Sequence, residues 1–220
     1  MKKIIQSTAS LSSVGIKAIL LTSLATSVSF LFAVPKQVTI KTLHKRGEVG
    51  NQLYYLPDQD TPFSGKAVSY WADGVKKTEI SYKDGKRDGP KSHWYENGQK
   101  LSEINYKNGK HDGLLTNWYE NGQCKRTGNY KEGKMDGIWT YWYENEQKSC
   151  ELNYMEGYMG SAIVWKGDGE KCSVSNVMNG NGVMVRYTSE GKEWLRLTYK
   201  DGEMRGHNWV QTERDMMVSP

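Results

Sequence analysis

The stretch Asp88-Gly89-Pro90-Lys91-Ser92-His93-Trp94-Tyr95-Glu96-Asn97-Gly98-Gln99 returns 24 residues later as Asp112-Gly113-Leu114-Leu115-Thr116-Asn117-Trp118-Tyr119-Glu120-Asn121-Gly122-Gln123. It returns again as Asp136-Gly137-Ile138-Trp139-Thr140-Tyr141-Trp142-Tyr143-Glu144-Asn145-Glu146-Gln147. Between the copies lies a second stretch that ends in Tyr-Lys-x-Gly, at Tyr106 to Gly109 and Tyr130 to Gly133. A fixed period of this length is the mark of stacked repeats rather than of one closed core.

Turn signals divide each repeat in two. Asp73-Gly74, Asn97-Gly98 and Asn121-Gly122 stand in the middle, and Asp84-Gly85, Asn108-Gly109, Glu132-Gly133 and Asp201-Gly202 stand at the end. Asn-Gly and Asp-Gly accept the positive φ of tight hairpin turns. The intervening segments are rich in Trp, Tyr, Thr, Ile and Ser, and no helical period is sustained after Val34. The expectation is an all-β chain: one elongated, curved, single antiparallel sheet of successive β-hairpins. Six hairpins at about 4.8 Å per strand would span roughly 60 Å.

Adjacent residues on a strand face opposite ways. Trp94, Trp118 and Trp142 therefore form one ladder and Tyr95, Tyr119 and Tyr143 another, on opposite faces. A two-residue turn would align Tyr95 with Ile104 and Tyr106; a bulged three-residue turn would align Trp94 with them, since a one-residue slip exchanges the faces. Both ladders are candidate binding surfaces, because exposed aromatic area marks interaction sites. The later repeats depart from the pattern. Trp165-Lys166-Gly167-Asp168-Gly169 replaces the tip motif, and Asn179-Gly180-Asn181-Gly182 shortens the return.

The N-terminus reads differently. Met1-Lys2-Lys3 precedes a largely apolar run from Ala18 to Val34, closed by Pro35. A basic start, an apolar stretch and small residues near its end describe an export signal. The cleavage point falls at Ala33 or near Ser27 and Ser29. An uncleaved anchor is the alternative, because 17 residues reach the short limit of a membrane span. The layout expected is a signal peptide or membrane anchor at 1–34, an apolar signal helix preceding the sheet, then a lead-in and N-terminal cap at 35–62, hairpin repeats at 63–210 and a tail at 211–220. The location expected is outside the cytoplasm, in the periplasm, the cell envelope or the medium; the alternative is an inner-membrane anchor through residues 18–34.

Lys2, Lys3 and Lys17 supply three of the five net positive charges, so the repeats are nearly balanced and mixed in sign. A nucleic-acid binder would carry a clustered basic face, and that class is set aside. Cys124, Cys150 and Cys172 are odd in number, and Cys124 and Cys150 fall two strands apart, about 9.6 Å. A disulfide needs Cα atoms within about 7 Å, so three free thiols are expected. His44, His93, His111 and His207 are scattered. Glu96, Glu120 and Glu144, like Asp88, Asp112 and Asp136, recur about 10 Å apart, as turn chemistry and Lys–Asp pairing would require. No nucleophile elbow or metal-ligand spacing organises these groups, so no catalytic residue, metal or cofactor is expected and the chain reads as a non-enzyme.

The unit Trp-Tyr-Glu-Asn-Gly-Gln … Asn-Tyr-Lys-x-Gly-Lys-x-Asp-Gly resembles the bacterial variant of the MORN repeat, as in YwqK-type antitoxins and MORN repeat proteins. The segment Leu53-Tyr54-Tyr55 … Thr61-Pro62-Phe63-Ser64-Gly65 is similar to the lead-in of such proteins. The resemblance implies a curved sheet of hairpins and a binding or scaffolding role. Together with the leader it gives an exported protein that offers an aromatic sheet surface to a protein partner first, and to a glycan or lipid second. Membrane contact would run through an uncleaved N-terminal segment alone. The alternative function is an antitoxin or immunity protein that neutralises a toxin.

Overall fold

The computed structural model describes residues 37–209. The export segment expected at 1–34 and the tail expected at 211–220 lie outside the described residues.

The lead-in contains β1 (Gln37–Thr39), a 3-10 turn (Ile40–Thr42), β2 (His44–Arg46) and β3 (Leu53–Tyr55). Four hairpins follow: β4–β5 (Gly65–Tyr70, Lys76–Lys83), β6–β7 (Lys86–Trp94, Lys100–Lys107), β8–β9 (Lys110–Trp118, Cys124–Lys131) and β10–β11 (Lys134–Trp142, Lys148–Met155). Then come β12 (Tyr158–Val164), β13 (Gly182–Tyr187), β14 (Glu193–Lys200) and β15 (Glu203–Trp209).

Two kinds of turn alternate along the array. At one edge the hairpin tips are three-residue loops. Tyr95 N donates to Gln99 O at 2.9 Å, and Gly98 N donates to Tyr95 O at 3.1 Å. Gly98 is left-handed at φ 81°, so this is a type I turn followed by a bulge residue. The same pair of bonds recurs at Trp71, Tyr119, Tyr143, Lys166 and Thr188, which keeps the tip in the divergent repeats as well. Glu146 holds the glycine's place there at φ 65°. At the other edge, Asp84-Gly85, Asn108-Gly109 and Glu132-Gly133 form two-residue turns with both residues at positive φ, the twist that antiparallel strands prefer.

The single antiparallel sheet expected from the repeats is corrected in three places. Strands β4 to β12 form a continuous antiparallel meander, but β1 adds to β4 in parallel and completes a ten-stranded sheet. Strands β2 and β3 make a separate two-stranded ribbon, and β13 to β15 a separate three-stranded sheet. The break after β12 follows from the altered return segment. Its backbone meets β12 through Cys172 N to Val164 O and Ala162 N to Val177 O instead of a ladder. The Asn176 side chain and backbone then bond to Val183, which redirects the chain into β13.

One face of the long sheet carries the core, covered at its two ends. Phe63, Ala67, Ile80 and Tyr82 pack with Val38, Ile40, Leu43 and Leu56 of the lead-in. Trp139, Cys150, Leu152, Met159 and Val164 pack with Met184 and Val185 of β13. Trp139 fixes the centre of this second cluster. It is 1% exposed, and its indole N–H donates to Asn129 O at 3.1 Å. Its ring lies on Gly128, where an added Cβ would fall 2.1 Å from the indole. The equivalent residues of neighbouring repeats, Ile104 and Leu152, are large, and Trp139 itself stands where Lys91 and Leu115 stand. One small residue and one large residue thus compensate across two strands. Gly128→Ala should cost about 1–3 kcal/mol through overpacking. Denaturant unfolding followed by Trp fluorescence measures it, and a fully stable variant would refute the contact.

Candidate functional site

The register sorts the side chains into two distinct surfaces. On the outer face one column runs Val68, Glu79, Ser92, Glu103, Thr116, Thr127, Thr140, Glu151 and Ile163. Glu79 accepts from Lys66 at 2.8 Å and from Lys76 at 2.7 Å. Those two bonds hold its carboxyl below the usual range. Lys100 pairs with Glu103 and Lys148 with Glu151 in the same way. Each of these lysines also lies over the tryptophan of the next repeat: Lys76 over Trp94 at 5.2 Å, Lys100 over Trp118 at 5.7 Å and Lys148 over Trp165 at 5.8 Å. The tryptophan ladder is therefore on the outer face, half-buried beneath a row of ion pairs.

The third repeat breaks that row. Cys124 stands where the other repeats have Lys76, Lys100 and Lys148, and Thr127 where they have glutamate. No lysine from this position caps Trp142. Thr116, Thr127 and Thr140 meet instead, with the Thr116 and Thr127 hydroxyls 3.3 Å apart. Leu114 and Ile138, one period apart on the same face, are 55% and 59% exposed. The result is an uncharged patch over β8 to β10, with an ion pair on each flank.

The opposite, core face holds the predicted tyrosine ladder, but in a structural role. Tyr95, Tyr119 and Tyr143 donate through their hydroxyls to the carbonyls of Trp118, Trp142 and Trp165, at 2.9, 2.7 and 2.9 Å. Trp71 does the same with its indole N–H to Trp94 O at 3.1 Å. Burial pushes the Tyr143 hydroxyl up to about 12. These hydroxyls tie each tip to the next, so the tyrosine ladder has a structural role. The bulged three-residue turn is the one adopted, yet Trp94 does not join Ile104. A further bulge between His93 and Trp94 resets the register, so the tryptophan keeps to the Glu103 face.

A second tyrosine column, from the Tyr-Lys-x-Gly segments, went unread in the sequence. Tyr106 meets His111 edge to face at 4.6 Å, His111 lies tilted against Tyr130 at 5.0 Å, and Tyr130 meets Trp139 edge to face at 4.9 Å. Facing glycines leave room for the rings: Gly89 lies opposite Tyr106, and Gly113 opposite Tyr130. The column could have been found by asking which residues lie opposite the Asp-Gly glycines.

Charge is also divided by face. Within strands β5 to β11 the core-face positions carry Arg87, Lys91, His93, His111 and Arg126 and no carboxylate, whereas Glu79, Glu103 and Glu151 all face outward. Burial, with Arg87 nearby, lowers the Lys91 pKa. Burial, then Lys91 and Lys77, lowers that of His93; burial, then Lys91 and Arg87, lowers that of His111. The recurring aspartates serve the turns, as expected, but without the lysines. Asp88 and Asp112 accept the backbone N–H of Asn108 and Glu132 in the next turn, at 3.0 and 3.2 Å, and Lys–Asp pairing does not link these turns. The ion pairs of these hairpins are Lys–Glu instead: Lys66–Glu79 joins neighbouring strands, while Lys100–Glu103 and Lys148–Glu151 each lie within one strand. Glu96, Glu120 and Glu144 project from the tips.

Cys124, Cys150 and Cys172 are free thiols. Among the described residues no three His, Cys, Asp or Glu side chains gather as a metal site, and no helix is long and apolar enough to cross a membrane.

Four stretches match the MORN repeat variant. They are residues 64–84, 87–108, 112–132 and 135–156, each of them one of the four hairpins between β4 and β11. No curated protein is significantly similar to the chain. The MORN-variant segments therefore account for the centre of the long sheet, and both candidate aromatic ladders lie within them.

Two outcomes test this assignment of the faces. Replacing Tyr95, Tyr119 and Tyr143 together by Phe removes the three hydroxyl bonds and should cost about 0.5–1.5 kcal/mol for each; an unchanged urea midpoint would show that the tips do not depend on them. His93 and His111 set a pH dependence. Their folded-state pKa lies below the unfolded value of about 6.5, so the folded state prefers them neutral. Their contribution is complete above that value, and it is lost as pH falls through it toward the folded pKa. His111→Gln should therefore narrow the stability loss between about pH 7.5 and 5.5, measured by thermal unfolding against pH. A steeper loss in the variant would reverse the sign and overturn the assignment.

Proposed function

We propose that the protein is a non-enzymatic binding protein that works outside the cytoplasm and docks a protein partner on its outer face over β8 to β10. The uncharged patch carries this reading. Repeat arrays act through extended surfaces. Here one segment of such a surface lacks the ion pairs that keep its neighbours hydrated. Leu114 and Ile138 supply apolar anchors, Trp118 and Trp142 flank them, and three threonines supply hydroxyls at the centre. Interface cores are depleted in charge and enriched in aromatic residues, and the patch has that composition. A glycan reading suits the tryptophans less well, because Lys76 and Lys100 lie over two of the rings that a sugar would stack on. The leader-like start, Met1-Lys2-Lys3 with the apolar run Ala18 to Val34, supports the location. An antitoxin would use the same face, and a toxin partner confined to the cytoplasm would favour that reading.

The test restores what the third repeat lacks. The double substitution Cys124→Lys, Thr127→Glu rebuilds the Lys–Glu pair already carried by Lys100 and Glu103, so the fold should tolerate it to within about 1 kcal/mol. Partner capture by in-cell cross-linking, followed by a binding titration with the captured protein, should be roughly tenfold or more weaker in the variant, since burying the rebuilt ion pair under a partner costs its hydration. Undiminished binding would remove the patch as the site.

A further inference from the structure

The geometry points to a second, separate site: a pocket between the β2–β3 ribbon and the first two-residue turns that takes a phosphoryl group of two or more negative charges, free or at the end of a larger molecule. The ribbon docks tightly. Tyr54 N donates to Gly85 O at 2.9 Å, and Gly85 N donates to Phe63 O at 2.9 Å. A Cβ at Gly85 would lie 2.8 Å from Leu53 Cβ and 2.9 Å from Pro62 Cβ, so glycine alone permits this approach.

The approach leaves a pocket of about 440 Å³ beside Tyr54. Its walls bring Lys45 from β2, Lys86 and Arg87 from β6 and Lys110 from β8 together with Tyr54 and Asn51, and no Asp or Glu lines it. Four cations from three chain segments thus converge without an acid. Among the described residues, none of the four is within 4.0 Å of a carboxylate. The contrast with the outer face is direct, since Lys66, Lys76, Lys100 and Lys148 there all have a glutamate.

Arg87 gives a second, independent indication. One of its terminal nitrogens, Nη2, donates to the Tyr54 hydroxyl at 3.3 Å, while its Nε–H is buried with no acceptor. A buried donor without a partner carries a desolvation cost that an anion near the guanidinium offsets. The Tyr54 ring lies beneath both Lys45, at 5.4 Å, and the Arg87 guanidinium, at 5.9 Å, and so holds two of the cations at one wall. Like charges gathered this way repel, and the natural counter-charge is a compact polyanion. A planar guanidinium beside ammonium groups suits phosphoryl oxygens, which accept several charge-assisted hydrogen bonds at once.

Calorimetric titration of the full chain with inorganic pyrophosphate at about 0.15 M salt, where diffuse surface attraction is screened, tests the site. The expected result is saturable one-site binding. The variant Lys86→Gln, Lys110→Gln, whose side chains are exposed and outside the packed core, should bind roughly tenfold more weakly. The variant Lys66→Gln, Lys148→Gln removes the same charge from the outer face and should bind as the parent does. A parallel arm uses phosphatidylcholine vesicles with and without phosphatidic acid. Capture that needs phosphatidic acid and fails in the Lys86→Gln, Lys110→Gln variant assigns the phosphoryl group to a lipid; pyrophosphate binding without vesicle capture assigns it to a soluble molecule. The proposal is overturned by the absence of saturable binding in both arms, or by equal weakening in the two double variants.

Discussion

Each hairpin of the array is tied to the next along both edges. At the tips, a tyrosine hydroxyl or the Trp71 indole reaches the carbonyl one repeat ahead. At the opposite edge, glycine N–H groups of the two-residue turns reach back one repeat, from Gly109 to Arg87, Gly133 to His111 and Gly157 to Met135. Among the described residues no second layer covers the centre of the sheet, which leaves little apolar burial to hold successive hairpins at one spacing. The edge bonds supply that spacing, and every other column in the molecule inherits it. They also survive where the sequence degrades: Gly180 bonds to Gly160 and Gly202 to Gly180 after the continuous ladder has ended.

Regular spacing turns each repeat position into a line of side chains, and the lines differ sharply in character. Glutamates and their lysines occupy the outer face, while arginine, lysine, histidine and tyrosine occupy the core face. A carboxylate on the core face would neutralise Arg87 and Lys91; its absence leaves their charge to act on whatever approaches the open middle of that face. The outer face is neutral by pairing except over β8 to β10, where it is neutral by composition. These are different kinds of neutrality. A surface of ion pairs stays hydrated, whereas a surface of threonine, leucine and isoleucine gives up its water at smaller cost.

Much of the fold was legible in the sequence because the repeat exposes it. The 24-residue period, the two turn positions and the opposition of Trp94 to Tyr95 all followed from the spacing of a few residues, and the structure agrees with each. The site was less legible. Which ladder lies free depended on bulges such as the one between His93 and Trp94, and a bulge leaves no mark in a periodic pattern. The uncharged patch required comparing repeats for what one of them lacks, Cys124 for lysine and Thr127 for glutamate. The cationic core face was hidden because its residues vary at equivalent positions, with Arg87, His111 and Met135 taking one place in successive repeats. The lead-in was underestimated as well, since Lys45 and Tyr54 acquire their neighbours only when the ribbon closes on Gly85.

The contact between Trp139 and Gly128 bears on how such a chain can change in length. Where neighbouring hairpins are alike, an internal duplication or deletion of one period would leave every interface as it was. Between the third and fourth repeats that freedom ends, because the indole of one rests in a space that only its own neighbour provides. Copying the fourth hairpin alone would set a Trp139-type ring against Leu152, and copying the third alone would set Gly128 against Leu115 and leave a void. These two hairpins must be inherited as a pair. The array therefore has a fixed centre, and the length variation open to it lies toward its ends.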